Sequence, residues 1–398
     1  MESASHTSQM ISLARRAVFG VVCGVLAGAA SALFLRSLKW AGEFRDSNMI
    51  LIWGLPLAGL AIGLLYHYLG QNVSAGTGLI LDELHTPKNQ VPLKMTPFIL
   101  FSTVLTHLFG GSAGREGTAV QMGGALADQF AIRMKVSALE RRALLVAGLG
   151  AGFGSAIGAP CAGVIFGIEI VGFRQRPWPW VECIAASLAA WGVTWLLRAP
   201  HTHFAAVEMP ALEIQTLFWT LVAAALFGGT ARVFMKGVHV MQFAFVRFLK
   251  FPPLRPLVGG VILSATYSLE GSYRYCGLGL GVIQESLFIS VKAFDPLLKS
   301  LFTGLTLASG FKGGEFIPLV FIGSTLGSVL GLVLPVSGFF LASIGFAAVF
   351  AGASGAPLAC AVMAIEIFGP GIAVYAIPAC LISSSFAGSR RIYSRRTT

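Results

Sequence analysis

Gly110-Gly111-Ser112-Ala113-Gly114-Arg115-Glu116-Gly117-Thr118 sets one carboxylate in a glycine-rich loop, and the run Ala119-Val120-Gln121-Met122-Gly123-Gly124 follows at once. The chain on either side is apolar enough to place this loop at membrane depth. Irregular backbone survives there only when it is buried in protein or lines a polar cavity. An ionisable residue in such a place marks a functional site by default. The plainer alternative is that Glu116 pairs with its neighbour Arg115 and only fixes the loop. So many glycines around one pair argue against that.

Composition agrees with the loop. Hydrophobic residues make up 55% of the 398 and charged residues 11%, with a mean hydropathy of +0.77. Soluble domains carry about 25% charged residues. Apolar runs recur from Ala17 to Ala387, so the expectation is an all-α integral membrane protein. Residues 17–389 form one membrane domain, preceded by an N-terminal segment (1–16) and followed by a short tail (390–398). No soluble or regulatory domain is expected.

Met1 to Arg16 carries Glu2 and no early basic cluster, which does not fit a cleaved signal peptide. Arg15 and Arg16 precede the first apolar run, and Arg390, Arg391, Arg395 and Arg396 follow the last. The positive-inside rule puts both termini in the cytoplasm. The net charge of +11 is then topological, and no nucleic-acid partner is implied. Cysteines 23, 161, 183, 276, 360 and 380 stand singly, without a CxxC, so neither disulfides nor zinc are indicated. His201 and His203 flank Thr202 in what reads as a solvated loop. No metal or cofactor is expected.

In chain order, Ala17–Leu35 reads as the first spanning helix, with Arg36, Lys39 and Arg45 after it, and Met49–Leu69 as the second. Gly76-Thr77-Gly78 opens a run too short to cross alone. Thr96–Phe109 leads into the Glu116 loop, and the basic loop Arg133 to Arg142 precedes Ala143–Val171, which Gly158-Ala159-Pro160 breaks. Further runs lie at 181–197, 214–230, 254–269 and 295–310, with a basic amphipathic stretch from Arg232 to Lys250. Gly313-Gly314-Glu315-Phe316-Ile317-Pro318 then opens another run.

The chain also repeats itself. Gly158-Ala159-Pro160 precedes Ile168-Glu169-Ile170, and Gly355-Ala356-Pro357 precedes Ile365-Glu366-Ile367 at the same spacing, an offset of 197 (158 to 355). The glutamates Glu116 and Glu315 repeat at 199 (116 to 315). Two halves, about 17–198 and 212–389, are the expected unit. Duplicated transporters place their sites near the midplane, where broken helices of both halves meet.

A helix that starts inside the membrane aims free N–H groups and its positive dipole end at the cavity, which suits an anion. Three loops here open helices: Gly76-Thr77-Gly78, Gly114-Arg115-Glu116-Gly117 and Gly313-Gly314. Converging, they would form a nest of donors, with Thr77 adding a hydroxyl and Phe316 and Ile317 adding N–H groups. Glu116 would compete with the anion for those donors and withdraw once protonated, linking proton and anion movement.

These motifs and the duplicated half resemble the CLC chloride channel and transporter family, from the first helix to the C-terminus. The resemblance implies an inverted-repeat bundle with broken and re-entrant helices. It further implies a homodimer of two independent pathways in a bacterial cytoplasmic membrane. By the same resemblance Glu116 falls on the gating glutamate, Thr77 on a central serine position, and Tyr393 on a pore tyrosine. Gly117-Thr118 in place of Gly-Pro, Glu315 at the third helix start, Ile170 in place of an inner proton-relay glutamate, and Asp82-Glu83-Leu84-His85 resemble the fluoride/proton antiporter branch. Thr77 departs from that branch, because a hydroxyl there is typical of chloride-selective members.

The leading expectation is therefore a fluoride/proton antiporter, with a chloride/proton exchanger or channel as the alternative. Glu315 binds ions or pairs with Lys312. An intramembrane enzyme using Glu116 and Glu315 ranks below these, since HExxH is absent and no His or Cys cluster suits a metal. A cation-coupled transporter ranks lowest.

Overall fold

The structure, a computed structural model, describes residues 2–86, 90–172 and 179–393, with side chains from Met10 onward. Arg395 and Arg396 of the expected tail lie outside the described residues. Sixteen α-helices carry the described chain. The first eight are α1 (Glu2–Ser47), α2 (Leu55–Tyr68), α3 (Thr77–His85), α4 (Met95–Leu108), α5 (Glu116–Arg133), α6 (Ala138–Ile157), α7 (Pro160–Val171) and α8 (Trp180–Leu196). The next eight are α9 (Ile214–Phe248), α10 (Leu254–Glu270), α11 (Leu280–Ser286), α12 (Asp295–Ser309), α13 (Phe316–Leu330), α14 (Gly338–Ser354), α15 (Pro357–Phe368) and α16 (Ala373–Phe386).

The second set repeats the first, helix for helix, and the hydrogen bonds show the inversion. Gly114 N–H donates to Gly314 O (2.6 Å) and Gly314 N–H donates to Gly114 O (2.7 Å), an antiparallel bridge. The broken helices answer each other in the same way. Glu169 on α7 accepts from Leu358 N–H (3.1 Å) and Ala359 N–H (2.8 Å) at the start of α15. Glu366 on α15 accepts from Cys161 N–H (2.9 Å) and Ala162 N–H (2.8 Å) at the start of α7. Each carboxylate thus satisfies first-turn donors that have no intrahelical acceptor.

Both breaks come from the same local chemistry. Gly158 and Gly355 end α6 and α14 in left-handed backbone, and Pro160 and Pro357 open α7 and α15 at their first positions. Proline there gives up an N–H that would be unpaired anyway.

Small residues set how near the helices come. A Cβ on Gly123 would lie 2.2 Å from Gly148 O, and one on Gly323 would lie 2.0 Å from Gly345 O. So α5 meets α6, and α13 meets α14, at backbone distance, the packing that replaces hydrophobic driving force in lipid. The outer surface is apolar instead, with Trp53, Leu57, Leu188, Trp195 and Val233 exposed. Among the described residues three helical stretches are long and apolar enough to cross a membrane, Met10–Ser47, Met49–Tyr68 and Ile214–Phe248.

The first run is longer than its apolar core. α1 carries Arg36, Lys39 and Arg45 on the same helix, because the two arginines find acceptors along it. Arg36 donates to Leu197 O, and Arg45 donates to His107 O (3.0 Å). The second run opens as a 3-10 turn, Met49–Gly54, before α2. Arg232 to Lys250 is no separate amphipathic element, since Arg232 to Phe248 continue α9.

Candidate functional site

The site is built where the loops before α5 and α13 interlock. A Cβ on Gly314 would stand 2.8 Å from Gly117 N, and one on Gly114 would stand 3.1 Å from Ile317 N and 3.0 Å from Pro318 Cδ. Only glycine lets the two backbones cross this closely. The crossing brings together Gly114, Arg115, Glu116 and Gly117 from one half with Glu315, Phe316 and Ile317 from the other.

The bridge also corrects the register read from the sequence. Gly114 answers Gly314, an offset of 200, so Glu315 stands opposite Arg115 and Phe316 opposite Glu116. Arg115 and Glu315 are the N-cap residues of α5 and α13, and Glu116 is the first residue inside its helix. The two glutamates are therefore not equivalent.

Glu116 is fully buried. Arg115 Nε donates to its Oε1 at 3.2 Å, and the Arg115 backbone N–H donates to Oε2 at 3.2 Å. The plain pairing anticipated from the sequence is thus formed, but it sits at the wall of an open cavity. Arg115 lines that cavity of about 760 Å³ together with Arg45, His107, Thr202 and Gly279, and its Nη2 reaches Thr202 Oγ1 at 3.4 Å. His107 braces the loop, with ring nitrogens 2.8 Å from Thr103 O and 3.1 Å from Ala113 O. His201 is engaged with Ser155 O at 2.8 Å.

Glu315 differs. Among the described residues its carboxyl has no hydrogen-bond or ion-pair partner, and the residue is half-buried. Lys312 carries its ammonium to the face of Tyr66, 4.1 Å from the ring centroid, a cation–π placement. The N–H groups of Phe316 and Ile317 find no acceptor among the described residues, as expected of first-turn donors.

Tyr393 enters from the C-terminal end. Ile392 N–H donates to Ala353 O at 3.0 Å, which sets the next ring edge-on to Phe166 (5.5 Å) and Phe350 (6.5 Å). Phe350 meets Phe316 edge-on at 4.6 Å, and Phe153 stacks on Phe166 at 4.0 Å. Of these, Phe153, Phe166 and Phe350 were not singled out from the sequence, whereas Phe316 was, for its N–H. Phe153 and Phe350 stand 197 apart, the spacing of the Gly-Ala-Pro repeats, so the repeat held that signal.

The third loop reaches the site along a flank. Gly76, at φ +58°, faces the Gln121 side chain, with a would-be Cβ 3.2 Å from its Oε1. Gln121 is five residues into α5, about 7.5 Å from its start at 1.5 Å per residue. The Thr77 hydroxyl has no hydrogen bond among the described residues. The first loop thus meets α5 beside Gln121. Gln121 joins the candidates as a polar side chain on a mostly buried helix.

A charged knot anchors the far end of α5. Arg141 donates to both Asp128 oxygens, at 2.6 and 2.9 Å, and lies 3.5 Å from buried Glu83. Glu83 of the Asp82-Glu83-Leu84-His85 string thus ties α3 to α6.

The description Voltage gated chloride channel matches residues 58–388, and the chain belongs to this family. A Chloride/fluoride channel protein of Pseudomonas syringae pv. tomato is 43% identical over 95% of this chain and 85% of its own length. An H(+)/Cl(-) exchange transporter ClcA of Vibrio parahaemolyticus is 27% identical over 88% of this chain and 81% of its own. Among solved structures, a CLC-type fluoride/proton antiporter superposes with a TM-score of 0.92 at 29% identity, covering 96% of this chain and 98% of the other. A slow cyanobacterial Cl-/H+ antiporter shares the fold at a TM-score of 0.83 and 22% identity, covering 95% and 96%.

Proposed function

We propose that this chain exchanges fluoride for protons and exports fluoride from the cell, with Glu116 carrying the proton. The observation that carries the reading is a buried carboxylate at the head of α5, set against a second helix start, whose partner Arg115 lines a cavity of about 760 Å³. As an anion, Glu116 takes up local donors. Protonated, it loses its hold on Arg115 and frees both the guanidinium and the helix N-terminus for an incoming anion. One side chain then alternates between proton carrier and stand-in anion. Glu315, with Phe316 N–H and Ile317 N–H beside it, serves the path from the opposite face, and protonated it donates to fluoride. Thr77 and Tyr393 contribute hydroxyls along the anion path, with Gly76 capping α3 and Gly78 in its first turn.

Residues 17–389 act in this reading as one transport domain of two inverted repeats, in a homodimer with a pathway in each subunit. Both termini face the cytoplasm of a bacterium, and the chain catalyses no covalent reaction. The cavity lined by Arg115 then opens outward, since the C-terminal end of α1 lines it. A relative named as a chloride/fluoride channel protein and a structural relative named as a CLC-type fluoride/proton antiporter support the choice of ion. The Thr77 hydroxyl favours the alternative, a chloride/proton exchanger. Liposome fluxes of fluoride and chloride under one imposed proton gradient test the choice. Fluoride flux well above chloride flux, with fluoride moved uphill by the proton gradient, supports fluoride/proton antiport; equal fluxes overturn it.

A further inference from the structure

Away from this path, α9 and the turn after α16 enclose a cavity of about 340 Å³ lined by Arg232, Lys236, His239, Ser389 and Arg390. Three cationic side chains and a histidine converge, and among the described residues no carboxylate lines the cavity. Among the described residues the side chains of Arg232, Lys236, His239 and Arg390 make no hydrogen bond or ion pair. Arg232, Lys236 and His239 share one face of α9 by their spacing, and all are exposed.

One residue further round the same helix the surface changes character. Gly229, Val233 and Gly237 line an apolar groove of about 660 Å³, closed on its other sides by Leu301 of α12 and Leu330 of α13. Among the described residues nothing stands within 4 Å of where a Cβ would be at Gly229 or Gly237, so the glycines keep its floor open. Val233 and Val240, on the ridge between the two hollows, are exposed by 69% and 66%. That exposure marks a face toward hydrocarbon.

We propose that the two hollows together bind one anionic phospholipid, with its phosphate among Arg232, Lys236 and Arg390 and an acyl chain in the groove. A guanidinium and an ammonium around a phosphate form charge-assisted hydrogen bonds. A free phosphate would use the basic cavity but has no part for the groove, which selects lipid as the source. Occupancy bears on the transport path through the chain itself. Arg390 is followed by Arg391, whose guanidinium donates to Gly352 O (3.1 Å) and Ser384 O (2.9 Å), and then by the segment that carries Tyr393. A headgroup held at Arg390 fixes the start of that segment.

The test uses the purified full-length protein in neutral detergent, titrated with phosphatidylglycerol, phosphatidylcholine or soluble glycerol phosphate and read by native mass spectrometry. Phosphatidylglycerol is expected to bind about tenfold more tightly than phosphatidylcholine, and glycerol phosphate not at all at the same concentrations. The double variant Arg232→Gln/Lys236→Gln, on an exposed surface, should lose the preference while eluting and unfolding like the native protein. Arg232→Lys/Lys236→Arg should keep it. Equal binding of the two lipids, or a preference surviving the neutral double variant, overturns the proposal. Glycerol phosphate binding as tightly as phosphatidylglycerol overturns the lipid in favour of a free phosphate site. No outcome depends on which anion the protein transports.

Discussion

The loops before α5 and α13 share one backbone and carry different chemistry. Both cross at the Gly114–Gly314 bridge, and both turn into a helix two residues later. At the N-cap one loop has Arg115 and the other Glu315; one step on, one has Glu116 and the other Phe316. In the first loop the carboxylate is sealed and held by its neighbour. In the second it is half-buried and unheld, beside an aromatic box. The difference teaches that the fold supplies two similar donor arrays, while the order of two residues decides which array carries a carboxylate inside its helix.

The largest test removes the held carboxylate. Glu116→Gln keeps the shape and cannot cycle a proton, so proton movement driven by an anion gradient in liposomes should fall by about a hundredfold or more. Native-rate coupling would break the assignment. Next comes the unheld carboxylate. Glu315→Ala should lower the fluoride-over-chloride flux ratio by about tenfold, against roughly threefold for Thr77→Ala, in line with lost hydrogen bonds. The reverse order would move selectivity to the first loop.

Two stability tests sharpen the symmetry beneath that chemistry. Gly123→Ala and Gly323→Ala each push a methyl into a carbonyl of the neighbouring helix, and each should cost about 1–3 kcal/mol, the usual price of overpacking. Thermal unfolding in detergent should show similar losses, and a large inequality would mean that the two halves pack differently. The smallest effect is expected at the reciprocal caps. Glu169→Gln, at a buried carboxylate, should cost about 1–2 kcal/mol, and Glu366→Gln, at an exposed one, under about 1 kcal/mol. Matching losses at both would show that exposure does not weaken the second cap.

Much of this was legible in the residues. Composition announced the membrane, and Gly-Ala-Pro followed by Ile-Glu-Ile announced the broken helices and the duplication. The register of the glutamates was not legible. α6 has 20 residues and α14 has 17, so the offset between halves drops from 200 to 197 across this pair. The glutamates' spacing of 199 falls between these values and matches neither, and only the backbone bridge shows it. The aromatic box was equally hidden, because a phenylalanine in an apolar helix looks the same whether it faces lipid or a pore. Gln121 was passed over because its partner, Gly76, is remote in sequence and offers no side chain.

The Gly114–Gly314 bridge and the crossed glutamate caps have a further consequence. In each, where two residues meet, their counterparts in the other half meet in the same way, which is the pattern of an isologous interface between identical subunits. Two identical half-length chains meeting this way would show every substitution twice, once on each side of the axis. An arginine at the N-cap would then always face another arginine. Carried on one polypeptide, the two sides mutate independently, and Arg115 can stand across from Glu315. Covalent linkage is what permits a self-complementary scaffold to hold an asymmetric pair of ionisable groups.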